Sequence, residues 1–138
     1  TVGLSVIGVR VPAYSGQEMP LLTRAWEWIE IAASSLKGIH AVILGDLNVS
    51  TDSSGSRGGA HFRRILSDGW HRATPPGGAT FFGHKGQKTE IDHVLATTHC
   101  ALSEAACVKD SGGFALCDSS IAISDHGALV CRIELQQE

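Results

Sequence analysis

Residues 41–48 read Ala-Val-Ile-Leu-Gly-Asp-Leu-Asn. With Ile39 and His40 before it, the run from Ile39 to Leu44 has the length and β-branched content of a buried strand. It ends directly in Gly45-Asp46-Leu47-Asn48. If extended geometry persists, Asp46 and Asn48 fall on one face, two residues apart. A carboxylate there holds a water or a hard metal ion. A carboxamide donates to a phosphoryl oxygen without adding negative charge. Gly45 frees the backbone to turn sharply. The competing reading is an ordinary turn, since Gly, Asp and Asn are common turn residues.

The flanking sequence supplies more elements. Upstream, residues 3–11, Gly-Leu-Ser-Val-Ile-Gly-Val-Arg-Val, predict a strand, and residues 12–20 a loop with two prolines and a glycine. Leu22, Ala25, Trp26, Ile29, Ala32, Ala33 and Leu36 recur at helical spacing, so residues 21–36 predict an amphipathic helix stopped near Gly38. Downstream, Ser50 to Gly59 is polar and glycine-rich. Phe62, Ile65 and Leu66 suit a short helix over 60–66. Strands are expected at 79–82, 90–97, 120–123 and 128–135, with a weaker one at 102–108.

Two further segments set ionisable groups beside apolar strands. In Ile91-Asp92-His93-Val94 the carboxylate interrupts a strand core. Buried there, Asp92 needs a partner, because an unpaired charge in an apolar environment is costly. His93, His126 and other histidines are candidates, and an Asp–His pair orients the ring and raises its basicity. Otherwise Asp92 marks an exposed strand end and His93 a surface residue. In Ser124-Asp125-His126-Gly127 the glycine lets the chain bend so that both neighbours face one site. His126 then contacts a phosphoryl oxygen or moves a proton, and Asp125 binds a divalent cation through oxygen. The plain alternative is a loop aspartate with an incidental histidine.

The chain has 138 residues, enough for one domain with a real core, and 43% of them are hydrophobic. Eleven basic and 14 acidic side chains leave a formal charge of −3. That balance disfavours tight non-specific binding to a polyanion, although a bound divalent metal changes the local field. The four cysteines, Cys100, Cys107, Cys117 and Cys131, contain no CxxC pair and match no zinc spacing. They read as reduced, partly buried thiols, while the even count permits two disulfides. No run of about 18 apolar residues suggests a membrane span, and no signal peptide is visible. Strand-like sequence begins almost at Thr1, so the chain reads as part of something longer.

Taken in order, Gly-Asp-Leu-Asn at 45–48, Ile-Asp-His at 91–93 and Ser-Asp-His at 124–126 resemble the endonuclease/exonuclease/phosphatase family. The strand before Pro12, the helix with Trp26 and Trp28, and Ala-Thr-Phe-Phe at 79–82 fall in family order too. The resemblance implies an α/β (α+β) fold. It would be a mixed, mainly antiparallel sheet with one main helix on one face, equivalent to half of the DNase I-like four-layer α/β/β/α sandwich. Residues 1–138 would form the C-terminal portion of such a domain, and the other sheet face would be apolar and uncovered. The resemblance implies hydrolysis of a phosphoester with Mg²⁺ or Mn²⁺. Asp46 would position or deprotonate the attacking water, and Asn48 would stabilise the transition state. Asp92 would orient His126, His126 would contact the phosphate, and Asp125, with Asp46, would serve the metal.

Arg10 stands where many members carry a His or Tyr on the phosphate. It either binds substrate or is a surface charge beside a strand end. The family's metal-binding glutamate has no counterpart in pattern here. The implied partners are a phosphoester substrate (nucleic acid, nucleotide or phosphorylated small molecule) and either a second copy of the chain or the complementary N-terminal half. His84 and Lys85 are either substrate contacts or solvated loop residues. His40 reads as structural, and His61, His71 and His99 as loop or surface residues.

Overall fold

A computed structural model describes residues 3–52 and 57–137, with the side chain of Arg57 excepted. Its centre is a four-stranded sheet. Strands β1 (Ser5–Gly8) and β2 (Ala41–Asp46) are parallel, joined by helix α1 (Met19–Leu36). Strand β6 (Asp92–Thr97) lies antiparallel to β2, and the short β3 (Trp70–Arg72) lies antiparallel to β6. Helix α2 (Arg57–Ser67) runs into β3. Two small hairpins, β4 (Phe81–Phe82) with β5 (Lys88–Thr89) and β8 (Asp110–Ser111) with β9 (Phe114–Ala115), stand outside the sheet. The long strands β7 (Cys100–Val108) and β10 (Ala128–Leu135) pair as a separate antiparallel ribbon. This is the expected mixed α/β class.

Each face of the central sheet has its own core. On one face α1 and α2 bury Trp26, Ile29, Ala33, Phe62 and Ile65 against Ile43 and Leu95. Trp26 and Phe62 are both 1% exposed and meet edge to face, and each large ring so buried contributes roughly 1.5–3 kcal/mol. Gly58 is required here, because a β-carbon at that position would press on the Trp26 indole nitrogen at 2.8 Å. Glu30 of α1 accepts from Arg64 of α2 at 2.6 Å, tying the helices together at the surface. On the opposite face Val42, Val94 and Ala96 pack against Leu102, Leu129, Cys131 and Ile133 of the ribbon.

That second core corrects the expectation of an uncovered face. Leu129, Cys131, Ile133 and Leu135 alternate with exposed residues along β10 and close over β2 and β6. What stays open is β1, where Val6, on the edge strand beside Val42, is 56% exposed. The strand expected at 120–123 is a turn and bend instead. The segment thought weaker, at 102–108, is the core of the longest strand. Its alternation is broken by a bulge near Glu104, which has a positive φ of 52°. No helix among the described residues is long and apolar enough to cross a membrane.

Candidate active site

The candidate residues collect at one end of the central sheet. In the antiparallel β2–β6 pair, Asp46 lies directly opposite Asp92. Extended geometry persists through Gly45 rather than turning there. A β-carbon on Gly45 would overlap the Val9 carbonyl, and its φ is +135°. Glycine therefore serves close approach. It lets the segment after β1 donate from Val9 to Leu44 and from Val11 to Asp46, each at 2.8 Å. This brings Arg10 near the Asp46 carboxylate, where burial raises the pKa and the Arg10 charge opposes part of that rise.

The strand ends at Asp46, so Asn48 reaches the site by a different route from simple alternation. Asn48 sits in the left-handed region at φ 50°, which asparagine tolerates. Its backbone N–H donates to Asp46 Oδ1 at 3.0 Å, and its Nδ2 donates to the Val11 carbonyl at 2.8 Å. The loop is thus a turn and a site at once.

His126 enters from the segment before β10. Its Nδ1 lies 2.8 Å from Asp92 Oδ2, the separation of a strong imidazole–carboxylate hydrogen bond. That contact puts the proton on Nδ1 and leaves Nε2 facing outward from the pair. The Phe81 ring meets the imidazole edge-on at 5.3 Å. Asp125 Oδ1 is 3.8 Å from His126 Nε2, beyond a direct hydrogen bond.

One buried residue joins these parts. Thr80 is fully buried, and its Oγ1 accepts from the N–H groups of Ile91 and Asp92 at 3.1 and 3.0 Å. Its carbonyl accepts from Gly127 N–H at 2.8 Å. Thr80 thereby fixes Asp92 and His126 relative to each other. Nothing in the sequence marks it beyond a threonine opening a short apolar strand. Ser124, whose Oγ accepts from His126 N–H at 3.0 Å, is another positioning group found only in three dimensions.

Ligand atoms of Asp46, Asp92 and His126 lie within 4.8 Å of one another. Burial raises the Asp46 pKa, the Asn48 N–H opposes that, and the facing Asp92 carboxylate raises it further. Two carboxylates so close repel, and a divalent cation held by them would relieve the repulsion. The donor set therefore fits a hard cation. Asp125, expected to serve a metal, stands on the far side of the imidazole with its side chain 44% exposed. His93 is not at the site. Alternation along β6 turns it into the helical core, 1% exposed against Phe62, with Nε2 donating to the Val49 carbonyl at 2.7 Å. His61, expected in a loop or on the surface, instead stacks on Trp26 and pairs with Glu30. Beside this end of the sheet opens a cleft of about 610 Å³, lined by His84, Ser119, Ser120, Ser124 and Asp125. Lys85 is exposed in the adjoining turn.

A model of the "Endonuclease/Exonuclease/phosphatase family" matches residues 4–126. Among solved structures, a functionally unknown conserved protein from Enterococcus faecalis V583 superposes with a TM-score of 0.65 at 16% identity. It covers 95% of this chain and 50% of its own. An endonuclease/exonuclease/phosphatase from Beutenbergia cavernae DSM 12333 gives 0.62 at 18% identity, covering 95% and 36%. A family protein from Leptotrichia buccalis C-1013-b gives 0.53 at 18%, covering 78% and 40%. These identities speak for the fold alone, and the chain spans half or less of each structure. Comparison with curated proteins finds no significant match.

Proposed function

The chain belongs to the endonuclease/exonuclease/phosphatase family, and from that premise we propose that it carries the water-activating and phosphate-facing side of a divalent-metal-dependent phosphoester hydrolase. The observation that carries this reading is the 2.8 Å Asp92–His126 pair, with Asp46 inside the same 4.8 Å cluster. A carboxylate behind an imidazole fixes its tautomer and stabilises its charged form. His126, so held and protonated on both nitrogens, donates Nε2–H to a phosphoryl oxygen. Asp46 accepts a hydrogen bond from the attacking water and orients it. Its raised pKa suits a group that takes a proton. Asn48, with one amide hydrogen given to Val11, has a second for the transition-state oxygens. Arg10 adds positive charge on the same side.

Asp46 and Asp92 are the oxygen donors that would hold Mg²⁺ or Mn²⁺, with Asp125 available nearby. Bound there, the ion would supply charge neutralisation at the phosphoryl group. The substrate class is a phosphoester on a nucleic acid, a nucleotide or a phosphorylated small molecule. The chain spans half or less of the matched structures. We therefore assign the remaining metal-binding carboxylate to a complementary N-terminal segment, seated on the open β1 side of the sheet.

The test is hydrolysis of bis-(p-nitrophenyl) phosphate, p-nitrophenyl phosphate and single-stranded DNA, with Mg²⁺, Mn²⁺ or chelator. It is run on the 138-residue chain and on the longest natural form of the protein. Metal-dependent turnover by the longer form supports the proposal. Turnover by neither form, or turnover unaffected by chelator, overturns it. Exposed Val6 on the edge strand favours a second reading, a non-catalytic domain that self-associates there. Light scattering showing a dimer, together with no turnover, would select that reading.

A further inference from the structure

We propose that Cys107 and Cys117 form a redox-convertible dithiol, closed to a disulfide by a peroxide, that governs how the His126 segment is seated. The disulfide stands independently of the hydrolase reading, and only its effect on turnover rests on it.

The pairing follows from the hairpin between the two residues. The chain leaves β7 just after Cys107, makes the β8–β9 excursion and returns at Cys117. At the neck the Lys109 carbonyl accepts from both Leu116 N–H at 2.7 Å and Cys117 N–H at 3.2 Å. Two returning residues share one partner, a bulge that re-aims the second side chain. The two sulfurs come to lie against the same point. A β-carbon on Gly127 would overlap Cys107 Sγ and lie 3.2 Å from Cys117 Sγ. Only glycine leaves room for both.

The other two cysteines are placed differently. Cys100 and Cys131 belong to the apolar core under the ribbon. Burial alone raises the Cys131 pKa, whereas Cys107 is raised by burial and then by the neighbouring Cys117. All four are free thiols in the structure. Cys117 is 3% exposed and Cys107 is half-buried, so a small oxidant meets Cys107 first.

The chemistry balances in two steps. The Cys107 thiol attacks hydrogen peroxide. An S–O bond forms, the O–O bond breaks, and sulfenic acid and water result. Cys117 sulfur then attacks Cys107 sulfur. The S–O bond breaks and the hydroxyl departs as water with the Cys117 proton. Peroxide is reduced and the two thiols are oxidised. A disulfide holds its sulfurs at about 2.05 Å, so closure moves both relative to Gly127. Gly127 N–H donates to the Thr80 carbonyl, the bond that seats the residue after His126. Closure therefore reaches the Asp92–His126 pair through one peptide unit.

The experiment treats the intact chain with hydrogen peroxide, traps remaining thiols with iodoacetamide and maps non-reduced peptides by mass spectrometry. The expected product is a Cys107–Cys117 linked peptide two hydrogens lighter, with Cys100 and Cys131 alkylated, reversed by dithiothreitol. Its rate rises by roughly tenfold per pH unit near neutrality, because the reacting species is the thiolate. Cys117→Ser should instead accumulate a sulfenic acid at Cys107 that dimedone traps. Alkylation of both cysteines after treatment, or a link from either to Cys100 or Cys131, overturns the pairing. Proton NMR of the His126 ring reads the coupling without any activity. A shifted resonance on oxidation supports it, and an unmoved one overturns it.

Discussion

His93 and His126 each stand beside a carboxylate from one short stretch of chain, Glu90 and Asp92, and the two pairs differ in every respect that matters to chemistry. His93 Nδ1 is buried, lacks a hydrogen-bond partner among the described residues and lies 3.8 Å from Glu90 Oε1. Glu90 is itself engaged by Arg72. Burial holds the His93 pKa down, so the ring is neutral and structural. His126 binds Asp92 directly at 2.8 Å and keeps 30% of its side chain exposed. An imidazole beside a carboxylate makes a core strut in one place and a half-exposed hydrogen-bonded pair in the other. Partner distance and solvent access decide which.

Breaking each pair should separate these roles. The largest effect is expected for His126→Ala. It should lower kcat/KM of the longest natural form by about 10²–10⁴-fold, with unfolding stability changed by less than about 1 kcal/mol. Steady-state kinetics beside urea denaturation checks this. A loss of fold instead would make His126 a structural residue like His93. His93→Ala should do the reverse, costing about 3 kcal/mol of stability through a cavity against Phe62 and an unpaired Val49 carbonyl.

The His93 strut should also be visible in pH. Its folded pKa lies below 6.5, so the unfolded chain binds the proton more readily. The stability it contributes is present above pH 6.5 and is lost as pH falls below that. His93→Gln, which can still donate to Val49, should flatten the slope between pH 6.5 and 5 in denaturant melts.

Thr80→Val sharpens the contrast by touching only the His126 side. It removes the acceptor of two part-buried N–H groups and should cost about 2 kcal/mol. It should also lower kcat more than it raises KM, because it misplaces Asp92 rather than removing a substrate contact. The smallest effect on stability is expected at Asp46. Its folded pKa lies above 3.8, so stability falls as pH rises through the window just above that value. Asp46→Asn should therefore be more stable than wild type near neutrality by roughly 0.5 kcal/mol, modest because the group is partly solvated. The gap should close toward pH 3.8. A variant less stable than wild type at pH 7 would mean that the carboxylate repulsion is already relieved.

Much of this was legible in residue pattern. A helix over 21–36 follows from apolar spacing, and the observed helix, Met19–Leu36, buries Trp26, Ile29 and Ala33 from among the residues the spacing picks out. The strands around Ile43 and Leu95 follow from β-branched runs. The three polar segments were recognisable because ionisable residues interrupting an apolar strand need a reason. The strand expected at 120–123 misled, since two isoleucines near a turn resemble an edge strand. Ile121 and Ile123 are in fact 80% and 70% exposed. The strands expected at 102–108 and 128–135 both form, but their pairing over the second face was not legible, because it depends on a register that shifts at a bulge near Glu104.

By itself, then, the sequence determined the family, the order of its elements and the three segments that supply Asp46, Asp92 and His126. Local periodicity and side-chain chemistry are written residue by residue, and they survive without tertiary context. The tertiary structure alone decided which histidine meets Asp92. It also decided that Gly45 serves close packing rather than a turn, and that Thr80 and Ser124 hold the site. Each of these depends on contacts between residues far apart in the chain. Their distances are set by strand register and by the packing of two cores on one sheet.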